Sequence, residues 1–186
     1  MAKVSLSDNV KSLDEIINWY DDQLTALQSF RYSIINAIVL NESLFLKSRE
    51  KFIDLSIDEI NKYFNVSEIE LEHLVCFDLI SATEGIVRFD YFEKCYDKNK
   101  SLVGRYFRDI HKIKGKKVSL EGDILNTWKN VTSDLCFSDF IGLLNYRHWL
   151  AHGRYWNPKF GRREPYTVDV VYEIVKSVCS IVGNYV

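Results

Sequence analysis

Apolar residues recur at three- and four-residue steps along most of this 186-residue chain, the period of a helix that buries one face. Leu13, Ile16, Ile17, Tyr20, Leu24, Leu27 and Phe30 or Arg31 follow it, and Ile34, Ile35, Ile38, Leu44 and Phe45 carry it on. The pattern predicts helix from residue 13 to about 53, either as one long element or as two with a break near Asn41. Such a stripe serves internal packing or a dimer contact. Ser56-Ile57-Asp58-Glu59 has the form of a capping box and predicts a short helix from Ile57 to about Phe64. Ser67-Glu68-Ile69-Glu70 repeats the signature and predicts a second start. Leu71, Leu74, Val75, Leu79 and Ile80 line that longer helix, which ends near Tyr96.

Ser101 to about Lys112 reads as a helix with Leu102, Tyr106 and Ile110 on its apolar side. Ser119 is placed to cap a helix holding Ile124, Leu125 and Trp128. Ser138-Asp139 reads as the next start, with Asp139 set against the helix dipole and Phe140, Leu143 and Leu144 facing inward. Gly153 suits a left-handed helix end. Thr167 caps a last helix carrying Val170, Val171, Ile174, Val178 and Ile181. No window alternates with period two. The expected fold is all-α, a helical bundle, with residues 1–66 as an N-terminal helical extension and 67–186 as the main helical domain.

Composition agrees with this picture. Only Pro158 and Pro165 break helices, and both lie late. An apolar fraction of 47% supplies a core. A net charge of −2 excludes bulk electrostatic wrapping of nucleic acid but leaves room for a local basic patch. Lys112–Lys117 is one such patch, either a solvated face or a rim that tracks phosphates. Cys76, Cys95, Cys136 and Cys179 form no C-x-x-C pair and sit among apolar residues. They read as buried thiols in a reducing cytoplasm, against a disulfide framework or zinc site. Met1–Leu6 lacks the form of a secretory signal. The Ile34–Leu46 run is too short and polar to span a membrane. Glycine-rich phosphate loops, H-E-x-x-H and a serine-triad signature are absent from the sequence, so no metal or cofactor is expected.

The densest chemistry lies in Asn145–Trp156, which holds Arg147, His148, His152 and Arg154 among Trp149, Tyr155 and Trp156. Arginine offers a planar fork that suits phosphate oxygens, and histidine exchanges protons near neutral pH. Together they suit metal-free RNA cleavage, in which a histidine deprotonates a ribose 2′-OH and arginine stabilises the charge on phosphorus. On a regular helix Arg147 and His152 lie about 140° apart, at about 100° per residue. His148 and His152 share a face. Either the helix distorts near Gly153, or two subunits complete one site.

The segment Arg147-His148-Trp149-Leu150-Ala151-His152-Gly153 resembles the R-x4-H signature of HEPN domains, with His148 in the place of the polar residue that often follows the arginine. Upstream, Ala82-Thr83-Glu84 and Arg88-Phe89-Asp90-Tyr91 resemble the polar patch on an earlier helix of bacterial HEPN proteins. The likeness covers roughly residues 68–186. It implies a four- to five-helix all-α core, a homodimer with a composite active site, and a metal-independent endoribonuclease of toxin or phage-defence systems. Alternatively it implies a non-catalytic module that binds RNA, nucleotide or a protein partner. By this resemblance Arg147 binds phosphate, His152 is the general base or acid, His148 orients or polarises, and Glu84 positions Arg147 or His152. Arg88, Arg154, Tyr155 and Trp156 contact RNA, with Arg162 and Arg163 as further cations. An antitoxin or regulatory protein is the further partner implied, and no membrane is. In one toxin branch a tyrosine stands two residues after the histidine; here that place holds Arg154, with Tyr155 one later. From spacing alone, Glu84 and Arg88 are also consistent with a plain surface ion pair.

Overall fold

The computed structural model describes residues 11–41, 50–157 and 166–183. It is an all-α helical bundle, with no strand among the described residues. Helices α1 (Leu13–Val39), α2 (Ile57–Tyr96), α3 (Leu102–Lys114), α4 (Asn126–Thr132), α5 (Cys136–Ala151) and α6 (Val168–Val182) follow one another, with short tight turns at Glu50–Phe52 and Gly115–Lys117. A wide π turn, Leu120–Leu125, leads into α4. None of these helices is long and apolar enough to cross a membrane.

Capping chemistry sets most of the boundaries. Ser12 and Glu15 bond each other's backbone N–H groups at 2.9 and 3.2 Å and open α1. Ser56 and Glu59 do the same for α2, at 2.8 and 3.3 Å. Helix α1 stops where Asn41 turns to a φ of 54°, a conformation asparagine tolerates at a helix end. That is the expected break; Leu44 and Phe45 lie outside the described residues. The second start expected at Ser67 is corrected. Helix α2 runs unbroken for 40 residues, and Ser67 Oγ donates to the Tyr63 carbonyl at 3.0 Å. No breaker separates Phe64 from Ser67, so the backbone keeps its own hydrogen bonds and Ser67 bonds back into the turn.

By its contacts the chain divides into two compact units, Ile17–Val75 and Cys76 onward together with the start of the chain up to Ile16. In the first, Ile34, Phe52, Ile60 and Phe64 are buried, with Leu27, Phe30, Ile35, Ile38 and Leu55 packed against them. Phe30 meets Phe52 and Phe64 edge-on at 5.9 and 5.6 Å. Arg31, one position on, instead bonds Asn61 at 2.9 Å and Asn65 at 3.2 Å.

The second unit holds the larger core. Leu79, Ile80 and Val87 of α2, Phe107 of α3, Phe137, Phe140 and Leu143 of α5, and Val171, Val175 and Val178 of α6 are fully buried. Phe107 links Tyr91 at 5.0 Å to Trp128 at 6.1 Å, and Trp128 stacks on Phe137 at 5.8 Å. This aromatic chain explains a second correction. Helix α3 buries Val103, Gly104 and Phe107, while Leu102 and Tyr106 are exposed and Ile110 is half-buried. The side chain with strong partners decides the face. A Cβ on Gly104 would come within 2.7 Å of the Asn99 carbonyl oxygen, so only glycine fits there. Helix α5 also starts earlier than Ser138, at Cys136, whose N–H donates to Asp134 Oδ1 at 2.9 Å. In α6 the buried face is Val168, Val171, Val175, Val178 and Cys179, with Val170, Ile174 and Ile181 at its margin.

One pair in this core is charged. Asp90 is 1% exposed. Its Oδ1 pairs with Lys94, whose Nζ also donates to the Val182 carbonyl at 3.2 Å and lies 5.2 Å over the Trp128 ring. Oδ2 is buried with no hydrogen-bond partner. Burial lifts the Asp90 carboxyl from 3.8 to about 6 against the pull of Lys94. The folded chain therefore holds the Asp90 proton more tightly than the unfolded chain. That contribution is full below pH 3.8 and is lost as pH rises through about 6. Denaturant titrations of wild type and Asp90→Asn should diverge across this window, with wild type losing up to roughly 3 kcal/mol relative to the variant. Parallel pH profiles would contradict it.

Candidate functional site

Burial of Phe137, Phe140, Leu143 and Tyr146 fixes the rotation of α5. Arg147 and His148 then fall beside a cleft of about 500 Å³, facing Glu84 and Arg88 of α2 and closed on a third side by residues 118–121. Glu84 and Arg88 share a face of α2 because they are four apart. Thr83 and Tyr91 turn into the core, where Thr83 Oγ1 donates to the Leu79 carbonyl at 2.9 Å and Tyr91 meets His111 at 3.1 Å. The upstream polar patch is thus split, with Glu84 and Arg88 lining the cleft and Asp90 spent on Lys94.

Glu84 joins the cleft's two arginines. Its Oε1 accepts from Arg88 Nε at 3.0 Å and lies 3.0 Å from Arg88 Nη2, while its Oε2 lies 3.2 Å from Arg147 Nη2. The Glu84 and Arg147 side chains are 19% and 32% exposed, against 40% for Arg88. The contact with Arg147 is therefore better shielded than a surface ion pair. Arg147 Nε is buried without a hydrogen-bond partner, so the guanidinium keeps an unmet donor beside the cleft.

At its C-terminal end α5 closes tightly. The N–H of His152 donates to the His148 carbonyl at 3.1 Å and that of Arg154 to Trp149 at 3.1 Å, around Gly153 with φ 76°. This is the left-handed stop expected of Gly153, and Arg154 follows with φ 57°. Trp149 Nε1 donates to the Trp156 carbonyl at 2.9 Å and holds the turn back against the helix. The His148 ring stands 4.2 Å from that of His152 and 5.8 Å from that of Trp156. Tyr155 is 82% exposed and meets Trp156 edge-on at 4.7 Å.

The fold thus brings Glu84, Arg88, Arg147 and His148 to one cleft. His152 does not line it but touches His148. Tyr155 and Trp156 extend the same helix end, and Arg154 is exposed on the turn. Arg162 and Arg163 lie outside the described residues. In the lysine patch, Lys114 pairs with Asp123 at 2.6 Å and Lys112 with Asp109 at 2.9 Å. Bonding to Lys114 holds the Asp123 carboxyl below its usual range. The cleft wall from 118–121 carried no functional signal in the sequence, since its contribution depends on how the chain around a π turn lies across α5.

Burial pushes the thiols of Cys95 and Cys179 up to about 11 and that of Cys136 to about 12, so they stay protonated and unreactive. No group of three or more His, Cys, Asp or Glu side chains among the described residues could hold a metal ion. The chain matches no protein-family model, no curated protein and no solved structure. A double-mutant cycle on Glu84→Gln and Arg147→Met should give a coupling of about 1 kcal/mol in denaturant unfolding. Additive effects would show that the bridge holds nothing in place.

Proposed function

We propose that this chain is a metal-independent endoribonuclease of the HEPN type, acting in the cytoplasm as a toxin or phage-defence effector. The observation that supports it is the cleft in which Arg147 and His148 stand side by side, with Glu84 on Arg147 and His152 against His148. The resemblance of Arg147–Gly153 to the R-x4-H motif supports the biological class. A neutral ring nitrogen of the histidine pair takes the ribose 2′-OH proton. The 2′-oxygen attacks the adjacent phosphorus and the bond to the 5′-oxygen breaks. Arg147 stabilises the charge that grows on the phosphate oxygens. The products are a 2′,3′-cyclic phosphate and a 5′-OH end.

In-line displacement needs a proton donor on the far side of phosphorus from the base. A pair of histidines in ring contact serves one side only. A second copy of the chain would supply the other, and this homodimer would also bring Arg147 of one copy to His152 of the next. Purified protein should cleave single-stranded RNA in EDTA and leave DNA intact. His152→Ala should lose about 10²–10⁴-fold in rate, and Arg147→Ala about 10²–10³-fold. Wild type that cuts no RNA, or His152→Ala that cuts equally well, would end the proposal.

The exposed Tyr155 ring, set edge-on to Trp156, favours a second reading, a module that binds RNA or nucleotide by stacking without cutting it. Under that reading Trp156→Ala abolishes RNA binding in a filter assay and Arg147→Ala retains it.

A further inference from the structure

The last turn of α5 has a use besides proton transfer. His148 and His152 are joined by a backbone hydrogen bond of 3.1 Å, which holds their side chains one turn apart. Their ring centroids are 4.2 Å apart with planes at 54°, and both residues are exposed. Histidines four apart on one helix face are a known pattern for gripping a cation. With metal–nitrogen bonds of about 2.0–2.1 Å, two tetrahedral ligand nitrogens stand about 3.4 Å from each other. The 4.2 Å separates ring centroids, so the rings must open and turn before one nitrogen of each meets the same ion, and both side chains are exposed enough to do so.

We propose that His148 and His152 form a two-histidine site for a divalent transition cation of the zinc, nickel or copper class. Imidazole nitrogen selects these ions over magnesium and calcium, which prefer oxygen. No cluster of three candidate ligands exists among the described residues, so water completes the coordination and the ion exchanges freely, unlike a closed structural zinc. Competing ligands are poorly placed: His73 faces Glu70 at 3.8 Å, His111 bonds Tyr91 at 3.1 Å, and all four cysteines are buried.

Binding has a chemical consequence. Coordination uses the same nitrogen lone pairs that would accept the 2′-OH proton, so the cation blocks cleavage and chelation restores it. This consequence rests on the ribonuclease reading; the binding site does not.

Equilibrium dialysis of the full chain against zinc chloride tests the site directly. Wild type should take up zinc reversibly, and His148→Ala and His152→Ala should each bind about tenfold more weakly or worse. His73→Ala should bind as wild type does. Trp156 lies 5.8 Å from His148, so copper(II) should quench tryptophan fluorescence in wild type and not in the H148A/H152A double variant. Equal zinc uptake and equal quenching by wild type and double variant would overturn the site. RNA cleavage that continues under saturating zinc would overturn the blocking step. Absence of cleavage under every condition would instead refute the ribonuclease reading and leave the dialysis result to stand.

Discussion

A carboxylate has two oxygens, and in Glu84 each is directed to a different guanidinium. Oε1 holds Arg88 on the same helix, and Oε2 reaches across to Arg147 on α5. This bridge ties the two walls of the cleft and sets the height at which the Arg147 fork sits. It also leaves the cleft partly neutralised in the free chain. An anionic ligand must share Arg147 with Glu84 or displace it, and the Nη2 that faces Glu84 is the donor it would compete for. Removing one partner leaves the others half-buried and charged, which is why the three residues act as one unit.

The same helix carries a second pair at the same four-residue spacing on a different face. Asp90 and Lys94 sit in the core among Trp128 and the Val182 carbonyl, where burial raises the carboxyl rather than lowering it. Spacing is identical; surroundings are not. In the cleft, Glu84 meets two arginines at a partly exposed wall. In the core, one lysine works against desolvation, and the pair serves to anchor the end of α6.

Most helices are legible in the chain because their ends are written in side-chain chemistry. Ser56, Ser119 and Thr167 cap as their positions predict, Ser101 caps as well, and each hydroxyl accepts the N–H three residues on. Ser67 shows the limit: a capping signature is local, while a cap needs the preceding chain to leave the helix. The misjudged face of α3 has a related cause. Two stripes compete on that helix, and Phe107 prevails through Tyr91 and Trp128, residues distant in sequence. Of the residues at the cleft, Arg147 and His148 stood out by type, while spacing put Glu84 and Arg88 on one face and only the resemblance tied Glu84 to Arg147. The distance of His152 from the cleft followed from the helical period, and the 118–121 wall did not follow from anything local.

The central claim is that this cleft directs a ribose 2′-oxygen onto the neighbouring phosphorus. The most direct test is a labelled RNA oligonucleotide with a single 2′-deoxy substitution at the scissile position, incubated with the full chain. The account predicts cleavage of the all-ribose strand to a 2′,3′-cyclic phosphate and a 5′-OH, and none at the deoxy position. Cleavage at that position, or products ending in a 5′-phosphate, would contradict it.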